Sequence, residues 1–310
     1  MENNLKLKEQ KNTVQIIGEL KDIKLNWGKK DKNGREFVSG NLIVKVTNKH
    51  GVGEHRLNIM QYKTYKSGSE NSFFKALKTI ENKYNTIERD GQGTILKAMA
   101  TIDENTYYNA SKDVMVEGIT LKPYKISSYK DEEADKVEQG VLASVGGYLD
   151  NIFKDENGKV TCRLATVNFF GNLIPIQCEV KPELADAFLD NFENESTVKS
   201  FKIEIIKAAK VSEAAKSSNE DEFDGFGDCE EIEDEIITDY INANMIIGGK
   251  PGFDPEINLD EEAVKEAYKQ RELALASRLE EERAKKVEDD FSTEEGFGTD
   301  SDDMDDDLPF

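Results

Sequence analysis

The 310-residue chain repeats itself, and the repeat limits what it can fold into. Gly18-Glu-Leu20-Lys-Asp22-Ile23 returns as Gly147-Tyr-Leu149-Asp-Asn151-Ile152. Asp31-Lys-Asn33-Gly34-Arg35 returns as Asp155-Glu-Asn157-Gly158-Lys159, and Asn-Gly favours the positive φ angles of a tight turn. Near the end of each copy a strand-like run, Val114 to Leu121 or Tyr240 to Ile247, leads into Lys-Pro, at Lys122-Pro123 and Lys250-Pro251. The echoes keep their order, which predicts two copies of one structural unit.

The coarse elements agree between the copies. Strand-like runs Phe37 to Val46 and Val160 to Phe170 follow the Asn-Gly turns. Third strands are predicted at Arg56 to Tyr62 and Ile174 to Val180, then short helices at Ser72 to Asn82 and Pro182 to Phe192, then two more strands each. Five strands with one helix between the third and fourth is the plan of an OB barrel, whereas a parallel sheet needs a helix after nearly every strand. The expected fold class is mainly β: tandem OB-like barrels, a C-terminal helix and a disordered acidic tail. The expected boundaries are 1–130 for a basic barrel, 136–252 for a second barrel with an acidic insertion at 212–235, 258–287 for the helix and 288–310 for the tail. In the helix, Asn258 as N-cap with Glu261 three positions on forms a capping-box pattern. Val264, Tyr268, Leu275 and Leu279 lie near one face, which suits docking on a barrel more than pairing with another subunit.

The charge is divided along the chain. The formal net charge is -22. Residues 1–130 carry 23 Lys and Arg against 15 Asp and Glu, residues 131–210 carry 9 against 15, and residues 211–310 carry 9 against 33. A basic head and an acidic end point to nucleic-acid contact at one end and a solvated tail at the other.

Single-strand binding without sequence preference needs cations along the phosphates and aromatic faces for the bases. The first copy supplies both. The expected loop between its first two strands, Asn26 to Arg35, carries Trp27, Lys29, Lys30, Lys32 and Arg35. Alternation puts Leu42, Val44 and Val46 on one face of strand two and Lys45 on the other, while Arg56, Met60 and Tyr62 alternate with Leu57 and Ile59 on strand three. Lys63, Tyr65 and Lys66 extend the basic and aromatic run, and Tyr107 and Tyr108 are expected in the loop between strands four and five, beside an OB groove. In the second copy Lys154, Lys159, Arg163 and the pair Phe169-Phe170 suit either a smaller stacking surface or core packing. Phenylalanines set among acids occur twice, at Phe223 and Phe226 in the insertion and at Phe291 and Phe297 in the tail. Both segments could mimic nucleic acid and compete for the groove.

The last residues read Asp305-Asp306-Asp307-Leu308-Pro309-Phe310. This tip resembles that of bacterial single-stranded-DNA-binding proteins, with Leu308 where Ile is usual. The resemblance implies a docking peptide for replication, recombination and repair proteins, its terminal Phe310 filling an apolar pocket and its carboxylates meeting basic residues. A tandem arrangement resembles the divergent bacteriophage members of that class, so oligomeric state is left open. The expected partners are single-stranded DNA and the proteins that read the tip. A decoy that captures replication factors without binding DNA, and an RNA-binding OB protein, stay open as alternatives.

Cys162, Cys178 and Cys229 have no CxxC spacing and lie far from His50 and His55, which argues against a metal site. No phosphate loop, dinucleotide turn or nucleophile elbow appears, so neither catalytic residues nor a cofactor are expected. The N-terminus has no apolar stretch and no run approaches a membrane span, which places the chain in a cytoplasm, that of a bacterial host if phage-encoded.

Overall fold

Each Gly-x-Leu-x-x-Ile segment lies in the long first strand of a five-stranded barrel. The computed structural model describes residues 7–134, 136–212, 237–250 and 258–294. The first barrel comprises β1 (Asn12–Lys30), β2 (Glu36–Asn48), β3 (Gly51–Tyr62), β4 (Ile95–Asn109) and β5 (Val114–Ser128), with α1 (Ser72–Lys83) and α2 (Ile87–Asp90) between β3 and β4. A short helix α3 (Asp131–Ala134) leads to β6 (Gly140–Lys154), β7 (Val160–Val167), β8 (Leu173–Val180), a 3-10 turn running into α4 (Ala185–Asn191), β9 (Ser196–Ser212) and β10 (Ile237–Lys250).

The pairing is that of two OB barrels. β1 bonds antiparallel to β2 and β4, β2 bonds to β3, and β3 meets β5 in parallel at Leu57 and Leu121. The second set repeats it: β6 bonds to β7 and β9, β7 to β8, and β8 meets β10 in parallel. The repeated residues have matching jobs. β1 passes from β4 to β2 near Gly18, where a Cβ would stand 2.5 Å from the Lys45 carbonyl oxygen; at Gly147 it would stand 2.3 Å from that of Ala165. Only glycine permits so close a crossing. Leu20 and Leu149 are fully buried, and Ile23 and Ile152 pack against the core. The Asn-Gly turns also coincide: the Asp31 and Asp155 carboxylates each accept two backbone N–H groups, and Gly34 and Gly158 adopt φ of 77° and 80°.

Alternation buries Val38, Leu42, Val44, Val46, Leu57 and Ile59 inside the first barrel, with Phe73, Phe74, Leu77 and Ile80 of α1 packed on the same core. α1 begins at Asn71, whose side chain accepts from the backbone N–H groups of Phe73 and Phe74. The barrels are joined as one sheet, because β1 residues Asn12 to Ile17 pair with β6 and Val52 of β3 pairs with Ala209 of β9. Cys162 and Cys178 face each other across β7 and β8 as buried free thiols, and burial pushes Cys162 up to about 12.

The chain divides into two compact units. One runs through Asn105 and again from Gly118 to Val264; the other holds the hairpin tip Thr106–Glu117 and the chain from Lys265. Within the second, Arg271 bonds Glu117 at 2.5 Å, and the Arg283 guanidinium holds Asp113 through Nε and Nη2 at 3.0 and 2.8 Å.

Two expectations about the last helix change. α5 runs Glu261–Glu294, so residues 288–294, expected in the tail, are helical; a formed helix adds one hydrogen bond for each further residue fixed, so it can continue into polar sequence. Its first turn is capped by Asp260, which accepts from the Ala263 N–H at 2.9 Å, and not by Asn258. No helix among the described residues is long and apolar enough to cross a membrane. The insertion 212–235 beyond Ser212, Cys229, the tail beyond Glu294 and the tip Asp305–Phe310 lie outside the described residues.

Candidate nucleic-acid interface

The outward face of β1, β2 and β3 can be read off its register, since directly paired residues share a face. Successive rows are Asp22–Ile43–Arg56, Lys24–Asn41–Asn58, Asn26–Ser39–Met60 and Lys29–Phe37–Tyr62. Phe37 and Tyr62 lie 5.8 Å apart, and the Arg35 guanidinium stacks 4.3 Å above the Tyr62 ring. Met60 stands out, 56% exposed. Among the described residues Lys29, Lys30, Lys32, Lys45, Arg56 and Lys66 make no ion pair. The row before Asp22–Ile43–Arg56 is Glu19–Lys45–Glu54, and the carboxylates on this face are engaged: Glu54 by Lys21 at 2.5 Å, Asp22 by Lys24 at 3.1 Å, and Glu19 by the Gly93 backbone N–H at 2.8 Å. The face therefore offers uncompensated cations around a small aromatic and apolar patch.

Other expected site residues sit differently. Trp27 is in β1 and not in a loop, because the hairpin zips past it to Lys30 and Glu36, leaving only Asp31 to Arg35 as the turn. A bulge at Trp27 and Gly28 turns the indole onto α1, edge to Phe74 at 5.1 Å with Lys78 Nζ 5.4 Å from its ring. Its Nε1–H is buried with no partner among the described residues. Arg35 is held by Asp31 at 2.8 Å while it stacks on Tyr62. Lys63 is bound to Glu36 at 2.7 Å, and that hydrogen bond lowers the Glu36 carboxyl and raises the Lys63 ammonium from their ordinary values. Tyr65 stands exposed in a tight turn from Tyr65 to Ser69, with Lys66 at its tip. Tyr107 and Tyr108 lie on β4 and not in a loop, because β4 continues to Asn109; they fall in the second compact unit, where the Tyr108 hydroxyl donates to Asp113.

The corresponding face of the second barrel is self-neutralised. Arg163 makes a two-pronged bond to Asp150 at 2.7 and 2.9 Å, Lys159 bonds Glu179 at 2.7 Å, and Lys154 reaches Asp186 at 3.3 Å. Phe169 and Phe170 are each 71% exposed on the β7–β8 turn, which rules out the core role weighed for them. Among the described residues no group of three or more His, Cys, Asp or Glu comes together to hold a metal ion.

Residues 10–299 match the sequence profile of the YorF family. The chain belongs to the YorF family. No curated protein matches this YorF-family sequence. Among solved structures, it is similar to the wild-type single-stranded DNA binding protein from Thermus aquaticus, at TM-score 0.45 and 9% identity over 80% of this chain and 95% of that one. A deletion mutant of the same Thermus aquaticus protein gives 0.44 and 9% over 78% and 95%.

Proposed function

We propose that this YorF-family chain binds single-stranded DNA without sequence preference on the outward face of its first barrel. The carrying observation is the contrast between two equivalent faces: Lys29, opposite Phe37, and Arg56, farther along β3, make no ion pair among the described residues on one, and cations are tied to carboxylates on the other. Phosphates meet Lys29, Lys45 and Arg56, and bases stack against the Phe37–Tyr62 patch. In this reading the protein coats DNA during replication, recombination and repair, and the peptide Asp305–Phe310 recruits the proteins that act there. It is a binding protein and not an enzyme.

The test is fluorescence anisotropy of labelled oligo-dT, duplex and oligo-U at two salt concentrations. Oligo-dT is expected to bind far more tightly than duplex, with affinity falling steeply as salt rises. Arg56→Glu should weaken binding and flatten the salt slope by about one unit, and Tyr62→Ala should cost roughly tenfold, the value of about one lost stack. Preference for duplex, or no binding at low salt, defeats the reading; tighter binding of oligo-U transfers it to RNA. Removing the last nine residues should leave strand binding intact and abolish capture of replication proteins.

A further inference from the structure

The outward face of the first barrel does not stop at β3. Val52 of β3 pairs with Ala209 of β9, and Ala209 pairs with Tyr240 of β10, so the three side chains share one side of the sheet. Two residues along each strand, the same side carries Glu54, Lys207 and Asn242, the last two directly paired. Arg56, Asn58, Met60 and Tyr62 continue that parity up β3. The surface thus crosses from β1 to β10 over five strands, about 19 Å at ~4.8 Å between strands. The joint is close: a Cβ at Gly53 would stand 1.4 Å from the Lys207 carbonyl oxygen, so glycine lets β9 lie against β3.

We infer that the β9–β10 hairpin of the second barrel extends the DNA track of the first, with Lys207 meeting a phosphate and Tyr240 stacking a base. Three observations carry this beyond the proposed function on which it rests. Tyr240 is 82% exposed, the most open of the large apolar side chains described, which is a poor place for a ring without a partner. Lys207 and Arg56 stand near one another, and among the described residues neither is bonded to a carboxylate; desolvation first, and the Arg56 charge second, lower the Lys207 ammonium from its ordinary value. A phosphate between them relieves both costs. Glu54, the carboxylate on this stretch, is engaged by Lys21. The second barrel therefore serves the strand through its hairpin, while the cations of its own OB face stay locked to Asp150, Glu179 and Asp186.

The experiment titrates the full chain with oligo-dT of increasing length, comparing wild type with Lys207→Glu, Tyr240→Ala and Tyr240→Phe, each first checked for an unchanged thermal melt. For the shortest oligonucleotide that binds, all four should agree within about twofold. For longer ones Tyr240→Ala should lose roughly tenfold, about one base stack. Tyr240→Phe should recover that loss, and Lys207→Glu should reduce the salt slope by about one unit. Photocrosslinking of iodouracil-substituted oligonucleotides should mark Tyr240. If wild type binds with Tyr62 dependence yet the hairpin variants match it at every length, this inference fails and the proposed function stands. If wild type does not bind, both fall.

Discussion

His55 sits on the inward side of β3, buried, with its Nδ1 unpartnered. Desolvation first, and the nearby Lys207 charge second, push its pKa down to about 4 from the ordinary imidazole value of 6.5. Between those values the unfolded chain takes up a proton that the native ring refuses, so stability falls as pH drops from 6.5 toward 4, by about 3 kcal/mol in full. Above pH 6.5 the residue makes no difference. His55→Leu should flatten this dependence in urea titrations at pH 7 and 4.5, and an unchanged slope would show that the imidazole is not buried neutral. Such a burial is invisible in sequence, where His55 is one polar residue in an alternating run. The outward set Arg56, Met60 and Tyr62 was legible from that same alternation, because strand parity is local. Trp27 was not, because a two-residue bulge decides which way it turns.

At the scale of elements, helix α5 shows how a cap shifts by two residues. The pattern around Asn258 and Glu261 is sound as a motif, yet the Leu259 N–H is taken by Thr197 Oγ1 and the Ala263 N–H by Asp260. Asp260→Ala should therefore cost about 1 kcal/mol and raise amide exchange in the first turn, while Asn258→Ala should change little. The reverse order of effects would restore Asn258 as the cap. The strands and the helices after β3 and β8 were readable to within a few residues, because hydrophobic period and Asn-Gly chemistry act over neighbouring positions. The continuation of β5 through Pro123 to Ser128 and of β4 through both tyrosines was not, since strand length depends on what lies alongside.

Across the whole molecule, β1 bonds to β2, β4 and β6, and the backbone of Gln10 and Lys11 is already bonded to β7 and β6. Each barrel closes on its own five strands, and the added pairings of β1 with β6 and of β3 with β9 tie the two into one sheet. The two should unfold in one transition, with Trp27 emission, which reports the first barrel, coinciding with hydrogen exchange in β7 and β8; two separated transitions would show independent barrels. The sequence alone determined that there are two barrels, where their glycine crossings and turns fall, and which end is basic, because these follow from residue type and local period. Only the tertiary structure decided which cations remain uncompensated and that Tyr240 and Lys207 join the face of β3. The ion pairs cross between strands, as Lys21 does to reach Glu54 33 positions on, and the β3–β9 register joins Val52 to Ala209 in the other barrel; no local pattern encodes either.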